Sequence, residues 1–141
     1  MLSSNAFKFL FAVLGALPLT SNAADWKLIG ITDGSVVGLD PSSIQQESAW
    51  IFTVWTKTIL SEEAFARHVA KKGFNDVPDY SHSLSLIRVN CRNRSYGTAR
   101  QMIYNIHGEV IKELPGPTKM EAVAPDTIAE SIVKVMCEIT E

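Results

Sequence analysis

After a short N-terminal apolar run, apolar and polar residues alternate with a period of two through most of the chain, which predicts β strands. Trp26–Ile31 (WKLIGI) reads as a strand ending at the turn dipeptide Asp33-Gly34, and Ser35–Asp40 returns as the second arm of a hairpin. Asp40-Pro41-Ser42-Ser43 then breaks the chain, because Pro41 has no N–H to give a ladder and Asp and Ser satisfy turn backbone locally. Ala49–Ile59 (AWIFTVWTKTI) is the longest strand signal, rich in β-branched and aromatic residues. Alternation sends Trp50, Phe52 and Val54 one way and Ile51 and Trp55 the other. A strand apolar on both faces is central, with a helix, a loop or a second subunit covering each side.

The rhythm changes at Ser61–Lys72. Ser61 is a fitting N-cap, Glu62 and Glu63 sit at the positive end of a helix dipole, Lys71 and Lys72 at the negative end, and Gly73 at a left-handed C′ position. Phe65 and Val69, four apart, give this short helix a narrow apolar stripe. Asn75–Ser83 reads as a polar loop, so Ser61–Ser83 is an excursion between strands that either carries binding or merely covers a sheet edge. Strands resume at Leu84–Cys91 and Tyr96–Ile106, joined by Arg92-Asn93-Arg94-Ser95. In the first, Ile87, Val89 and Cys91 share a face opposite Arg88, Asn90 and Arg92; in the second, Tyr96, Thr98, Arg100, Met102 and Tyr104 share a face. His107-Gly108 turns the chain into a strand over Glu109–Leu114, Pro115-Gly116-Pro117 stops it, and Lys119–Val123 is a short edge strand. Pro125-Asp126-Thr127 starts a last helix that runs to about Glu138 with Ile128, Ile132, Val135 or Met136, and Ile139 at helical spacing.

The N-terminal apolar run alters what counts as the protein. Phe9–Leu19, after Lys8, is too short for a spanning helix of roughly 20 residues but suits a secretory signal. Ser21-Asn22-Ala23 presents small residues to a signal peptidase, placing cleavage after Ala23 with Ala24 as the alternative; a buried N-terminal helix is the competing reading. Residues 1–23 are therefore expected to be a signal peptide, and residues 24–141 a single domain that is periplasmic, cell-surface associated or secreted. Removing Lys8 and no acid moves the net charge from −2 to −3, which argues against nucleic acid as a partner, and no second apolar run could span a membrane.

Export also decides the chemistry of the two cysteines. In a reducing cytosol Cys91 and Cys137 would be buried thiols; in an oxidising compartment, with one available partner each, they are expected to pair. No Cys-x-x-Cys spacing points to a redox-active pair, so the expected role is a structural staple between a strand end and the last helix.

Catalytic patterns are sparse. His68, His82 and His107 match no metal spacing, and Asp79, Ser81 and His82 are neighbours in sequence rather than a triad converging from separate segments. No catalytic, metal or cofactor-binding residue is assigned, and the chain is read as no enzyme with no cofactor. Arg88, Arg92, Arg94 and Arg100 are the one concentration of like charge; with Trp55 they form the candidate binding surface, the alternative being a solvated face whose Arg stems cover apolar surface.

The order of marks along the chain resembles the surface-adhesin protein E family of Gram-negative bacteria. The matching pieces are Trp26, Asp40 with Ser43-Ile44, Val54-Trp55-Thr56-Lys57, Cys91 with Arg94, Tyr104 with Gly108, Pro125 and Cys137. Met120, where the family has an aromatic residue, and the long Ser61–Ser83 segment depart from the pattern. The resemblance implies an α+β fold, an antiparallel sheet of about six strands packed against a C-terminal helix joined to it by the disulfide, to which the Ser61–Lys72 pattern adds a short helical insertion between strands. It implies an adhesin that engages host matrix or plasma proteins and can form a homodimer. A periplasmic inhibitor or immunity-type protein that blocks an enzyme is the alternative, with the insertion as its plug.

Overall fold

The computed structural model describes residues 23–32, 34–72 and 79–141. The expected signal up to Asn22, Asp33 of the first turn, Gly73, and the expected polar loop as far as Pro78 lie outside the described residues. The elements are β1 (Lys27–Thr32), β2 (Ser35–Leu39), a 3-10 turn (Pro41–Ser43), β3 (Gln45–Gln46), β4 (Ile51–Leu60), α1 (Glu62–Lys72), β5 (Tyr80–Asn90), β6 (Ser95–Asn105), β7 (Val110–Leu114), β8 (Glu121–Ala122) and α2 (Ile128–Ile139).

The strands form one antiparallel sheet in the order β1-β2-β4-β5-β6-β7, with β3 beside β4 and β8 beside β6. β3 continues the lane of β2 along β4, and β8 that of β7 along β6, so eight segments fill six positions across the sheet. The expected α+β architecture of about six strands, a C-terminal helix and a short helix between strands is the one observed.

Local chemistry sets the joints. Thr32 pairs with Ser35 across a two-residue turn in which Gly34 takes φ +89°, a left-handed value open to glycine. At the Asp40–Ser43 break, the Asp40 carboxylate accepts from the Ser42 N–H at 3.0 Å and from its hydroxyl at 2.6 Å. Ser43 Oγ accepts from the Trp55 N–H at 2.9 Å while the Asp40 N–H donates to the Trp55 carbonyl at 3.1 Å. The break therefore satisfies the backbone of β4 at Trp55, where neither β2 nor β3 reaches it.

Helix α2 covers one face of the sheet. Ile132, Val133, Met136 and Cys137 meet Leu39, Phe52, Val54, Ile87 and Val89, all buried. Thr127 caps this helix, its hydroxyl accepting from the Glu130 N–H at 3.2 Å, while the Glu130 carboxylate accepts from the Asp126 N–H at 2.6 Å. The helix start lies tight on β1: a Cβ on Gly30 would collide with Ile128 Cδ1. Cys91, just past β5, is bonded to Cys137 near the end of α2, with Cα atoms 5.5 Å apart. The Ile128 contact and the disulfide thus hold the two ends of one helix against the sheet.

Three expectations require correction. The loop expected through Ser83 ends earlier, because β5 begins at Tyr80; Tyr80 donates its hydroxyl to the Thr58 carbonyl at 3.2 Å and stacks on Phe65 of α1, with centroids 4.3 Å apart. The strand expected from Ala49 begins at Ile51, so Trp50 lies just before β4 and is 51% exposed. The face assigned to β6 is also split. Thr98 pairs with Ile87 but Arg100 pairs with Leu86, leaving Ala99 as a bulge. Tyr96 and Thr98 therefore face α2 with Ile87 and Val89, whereas Arg100, Met102 and Tyr104 face the other way.

Candidate functional site

Among the described residues no helix lies over the face of the sheet turned away from α2, and the residues of that face follow from the register. Leu28, Gly38, Lys57, Leu84 and Met102 lie side by side in one cross-strand row. Trp55, Leu86 and Arg100 form the neighbouring row, and Ile31, Val36 and Ile59 the row on the other side. Leu28 is 63% exposed, Ile31 69%, Val36 41% and Ile59 45%, so the β1, β2 and β4 part of this face is a contiguous apolar surface open to solvent, while Trp55, Leu84 and Leu86 beside it are half-buried and Met102 is buried.

The sequence-assigned binding residues divide between two places. Trp55, Arg88 and Arg100 come together on this open face, Trp55 one row from Arg88 and in the same row as Arg100. Both arginines are already engaged. Arg88 binds Glu47 Oε2 through Nε at 3.1 Å and Nη2 at 2.6 Å, and Arg100 Nε binds Glu113 Oε1 at 2.7 Å. Glu113 holds Arg100 firmly protonated, and Arg100 in turn pulls the Glu113 carboxyl below its ordinary pKa. Such exposed pairs contribute little stability, but they orient the guanidinium groups along the rim of the apolar face.

Arg92 and Arg94 lie elsewhere, in the β5–β6 turn. Neither has an ion pair among the described residues. Arg94 lines a hollow of about 190 Å³ with Trp50, Phe52, the two cysteines and the C-terminal Glu141. An exposed tryptophan beside an unpaired arginine is a common composition for a protein contact.

His82 belongs to β5 rather than to a loop. Its ring stacks on Tyr104 with centroids 4.8 Å apart and planes 6° from parallel, and its Nδ1 lies 3.0 Å from Ser81 Oγ. Burial, helped by the positive charge of Lys57, lowers its pKa from the ordinary 6.5. Asp79 precedes β5, and among the described residues no carboxylate bonds to His82, so the arrangement of Asp79, Ser81 and His82 is not that of a triad.

Pairing on this face also reveals residues that alternation along single strands did not: Trp26, Gly38 and Lys57. Gly38 leaves a hollow between Leu28 and Lys57 in their shared row, and Trp26 closes one side of it. The resulting trough of about 210 Å³ is lined by Trp26, Leu28, Val36, Gly38, Lys57 and Ile59. The Lys57 ammonium lies 6.0 Å from the centre of the Trp26 ring. Turn dipeptides and apolar periods do not register a glycine whose importance is the space it leaves between two neighbouring strands.

The sequence profile of the surface-adhesin protein E family matches residues 26–138, nearly the whole described domain. The chain belongs to the surface-adhesin protein E family. The match runs from the tryptophan that walls the trough to the residue after the disulfide cysteine of α2. Among solved structures, the selenomethionine form of protein E from Haemophilus influenzae is similar in fold, with a TM-score of 0.51 and 14% identity over 82% of this chain and 92% of that one. No curated protein matches the chain. Met120 lies beside Gly97, its Sδ 3.1 Å from where a Cβ would stand. No helix among the described residues is long and apolar enough to cross a membrane.

Proposed function

We propose that this chain is an exported, non-enzymatic binding protein that engages host matrix or plasma proteins. In this reading the signal in residues 1–23 directs secretion, and the mature domain presents the sheet face opposite α2 to its partner. The observation that carries it is the open apolar face, flanked at Trp55 by the oriented guanidinium groups of Arg88 and Arg100. A large exposed apolar surface rimmed by polar groups is the usual physical signature of a protein contact. Arg92 and Arg94 extend the contact onto the β5–β6 turn beside Trp50. Homodimerisation through the apolar face would compete with partner binding.

Binding of the exported protein to immobilised host matrix and plasma proteins tests this, together with antibody access on intact cells. Saturable binding and access support an adhesin. Protection inside the envelope, with no matrix binding, would refute it.

A second reading, a protein that blocks an enzyme, is supported by one feature. The Phe65–Tyr80 stack and the Ser61 cap, whose hydroxyl accepts from the Ala64 N–H at 3.1 Å, hold α1 as a defined projection. Capture of a periplasmic enzyme, lost on Phe65→Ala but retained on Trp55→Ala, would favour it.

A further inference from the structure

Lys57 stands out among the charged groups of the open face. Arg88 and Arg100, its cationic neighbours there, each hold a carboxylate, whereas Lys57 has no ion pair among the described residues. Its ammonium lies over the π face of Trp26, and its charge adds to burial in lowering the basicity of His82. An ammonium beside Leu28, Val36 and Ile59 has apolar surface on several sides and keeps one direction open to solvent.

The hollow next to it is built by register. Gly38 is the middle member of the Leu28–Gly38–Lys57 row, so any side chain there would fill the space. A Cβ at Gly38 would meet the Trp26 Cβ and the Lys27 carbonyl oxygen at 3.5 Å, an ordinary contact, so the backbone does not demand glycine at this position. The next row, Val36 with Ile59, closes the end of the trough. Its 210 Å³ equals roughly seven liquid waters, the size of one large side chain rather than of a long lipid tail.

Building on the adhesin reading, we infer that this trough is the anchor site for the partner: it receives one large apolar side chain, with an adjacent carboxylate of the same segment placed against the Lys57 ammonium. The apolar side chain covers Leu28, Val36 and Ile59, and the carboxylate supplies the charge that Lys57 lacks. Trp26 serves as wall and as the π surface that positions the ammonium. Burying an aromatic or aliphatic anchor in a pocket beside a charge-assisted contact is how small areas come to dominate protein interfaces.

The test uses isotope-labelled protein purified after export, titrated with N-acetyl-phenylalanine and, separately, with its uncharged amide. The expected result is saturable NMR shifts centred on the Gly38 amide and the Trp26 indole N–H, with the acid bound about three- to fivefold tighter than the amide. Lys57→Met should abolish that preference while keeping the amide's affinity, and Gly38→Leu should remove both. Absence of localised shifts, or an acid preference that survives Lys57→Met, overturns the inference. Decanoate binding more tightly than N-acetyl-phenylalanine would reassign the trough to a lipid and overturn it as well.

The matrix-protein assay separates the two levels. If the unaltered protein binds a matrix protein and Lys57→Met and Gly38→Leu leave that affinity unchanged, the trough is not the anchor, yet the adhesin reading stands. If the unaltered protein binds none while the acetylated probe still occupies the trough, the adhesin reading fails alone.

Discussion

Leu86 lies opposite Arg100, although its neighbour Ile87 lies opposite Thr98, and the residue left over is Ala99. This bulge is what sends Tyr96 into the core under α2 and Arg100, Met102 and Tyr104 to the open face. Because side chains alternate with a period of two, the one unpaired residue is what turns the two halves of β6 to opposite faces. Deleting Ala99 makes Thr98 and Arg100 consecutive opposite Ile87 and Leu86, so every face is kept, whereas deleting the paired Gln101 forces either Arg100 or Met102 onto the wrong face. We expect the Ala99 deletion to unfold cooperatively and the Gln101 deletion to lose cooperativity. Thermal unfolding followed by near-ultraviolet circular dichroism checks this, and the reverse order would contradict the register.

The Cys91–Cys137 bond closes 46 residues. Loop-closure entropy assigns it about 4 kcal/mol, a large share of the roughly 5–15 kcal/mol of a typical domain. Cys91→Ser and Cys137→Ser should lower Tm by similar amounts, with the double variant no worse than either. Intact mass showing two free thiols in the exported protein would remove the basis for this expectation.

His82 makes stability pH-dependent. Its pKa in the folded protein lies below the unfolded value of 6.5, through burial first and Lys57 second, so the unfolded chain takes up more protons as pH falls through 6.5. The contribution is complete above that pH and is lost on acidification toward the lowered folded value. Tm should therefore fall between about pH 7.5 and pH 5.5, and less steeply in His82→Gln. Equal slopes for the two proteins would show that His82 is not the group responsible.

Thr127→Ala removes the side-chain acceptor from the Glu130 N–H at the start of α2. The expected loss is about 1 kcal/mol, measured by denaturant titration with an unchanged m value. Thr127→Ser should recover most of it.

What the sequence reveals and what it hides divide along a physical line. The hairpin at Gly34, the break at Asp40–Ser43, the caps Ser61 and Thr127 and the two-faced strand around Trp55 are local, and each is legible in residue chemistry. The start of β5 is not, because Tyr80–Ser83 is polar and becomes strand through its pairing with β4 and β6. The Ala99 bulge is equally silent, since nothing in the sequence around it distinguishes one register from the other. For the candidate surface, alternation sets Trp55 opposite Phe52 and Val54, and Arg88 opposite Ile87 and Val89, but only the pairing of β4 with β5 brings the two onto one face, and Arg92 and Arg94 belong to a turn. The trough at Gly38 depends on three strands meeting in one row, information that no single segment contains.

The central claim is that the sheet face away from α2 is the binding face. Affinity for a bound matrix protein, measured by surface plasmon resonance, tests it most directly with two single variants. Leu86→Glu puts a charge between Trp55 and Arg100, and Lys134→Glu alters the exposed side of α2. The account predicts at least about a tenfold loss for Leu86→Glu and no change for Lys134→Glu, with Tm close to that of the unaltered protein in both. Full binding by Leu86→Glu, or a loss confined to Lys134→Glu, would contradict it.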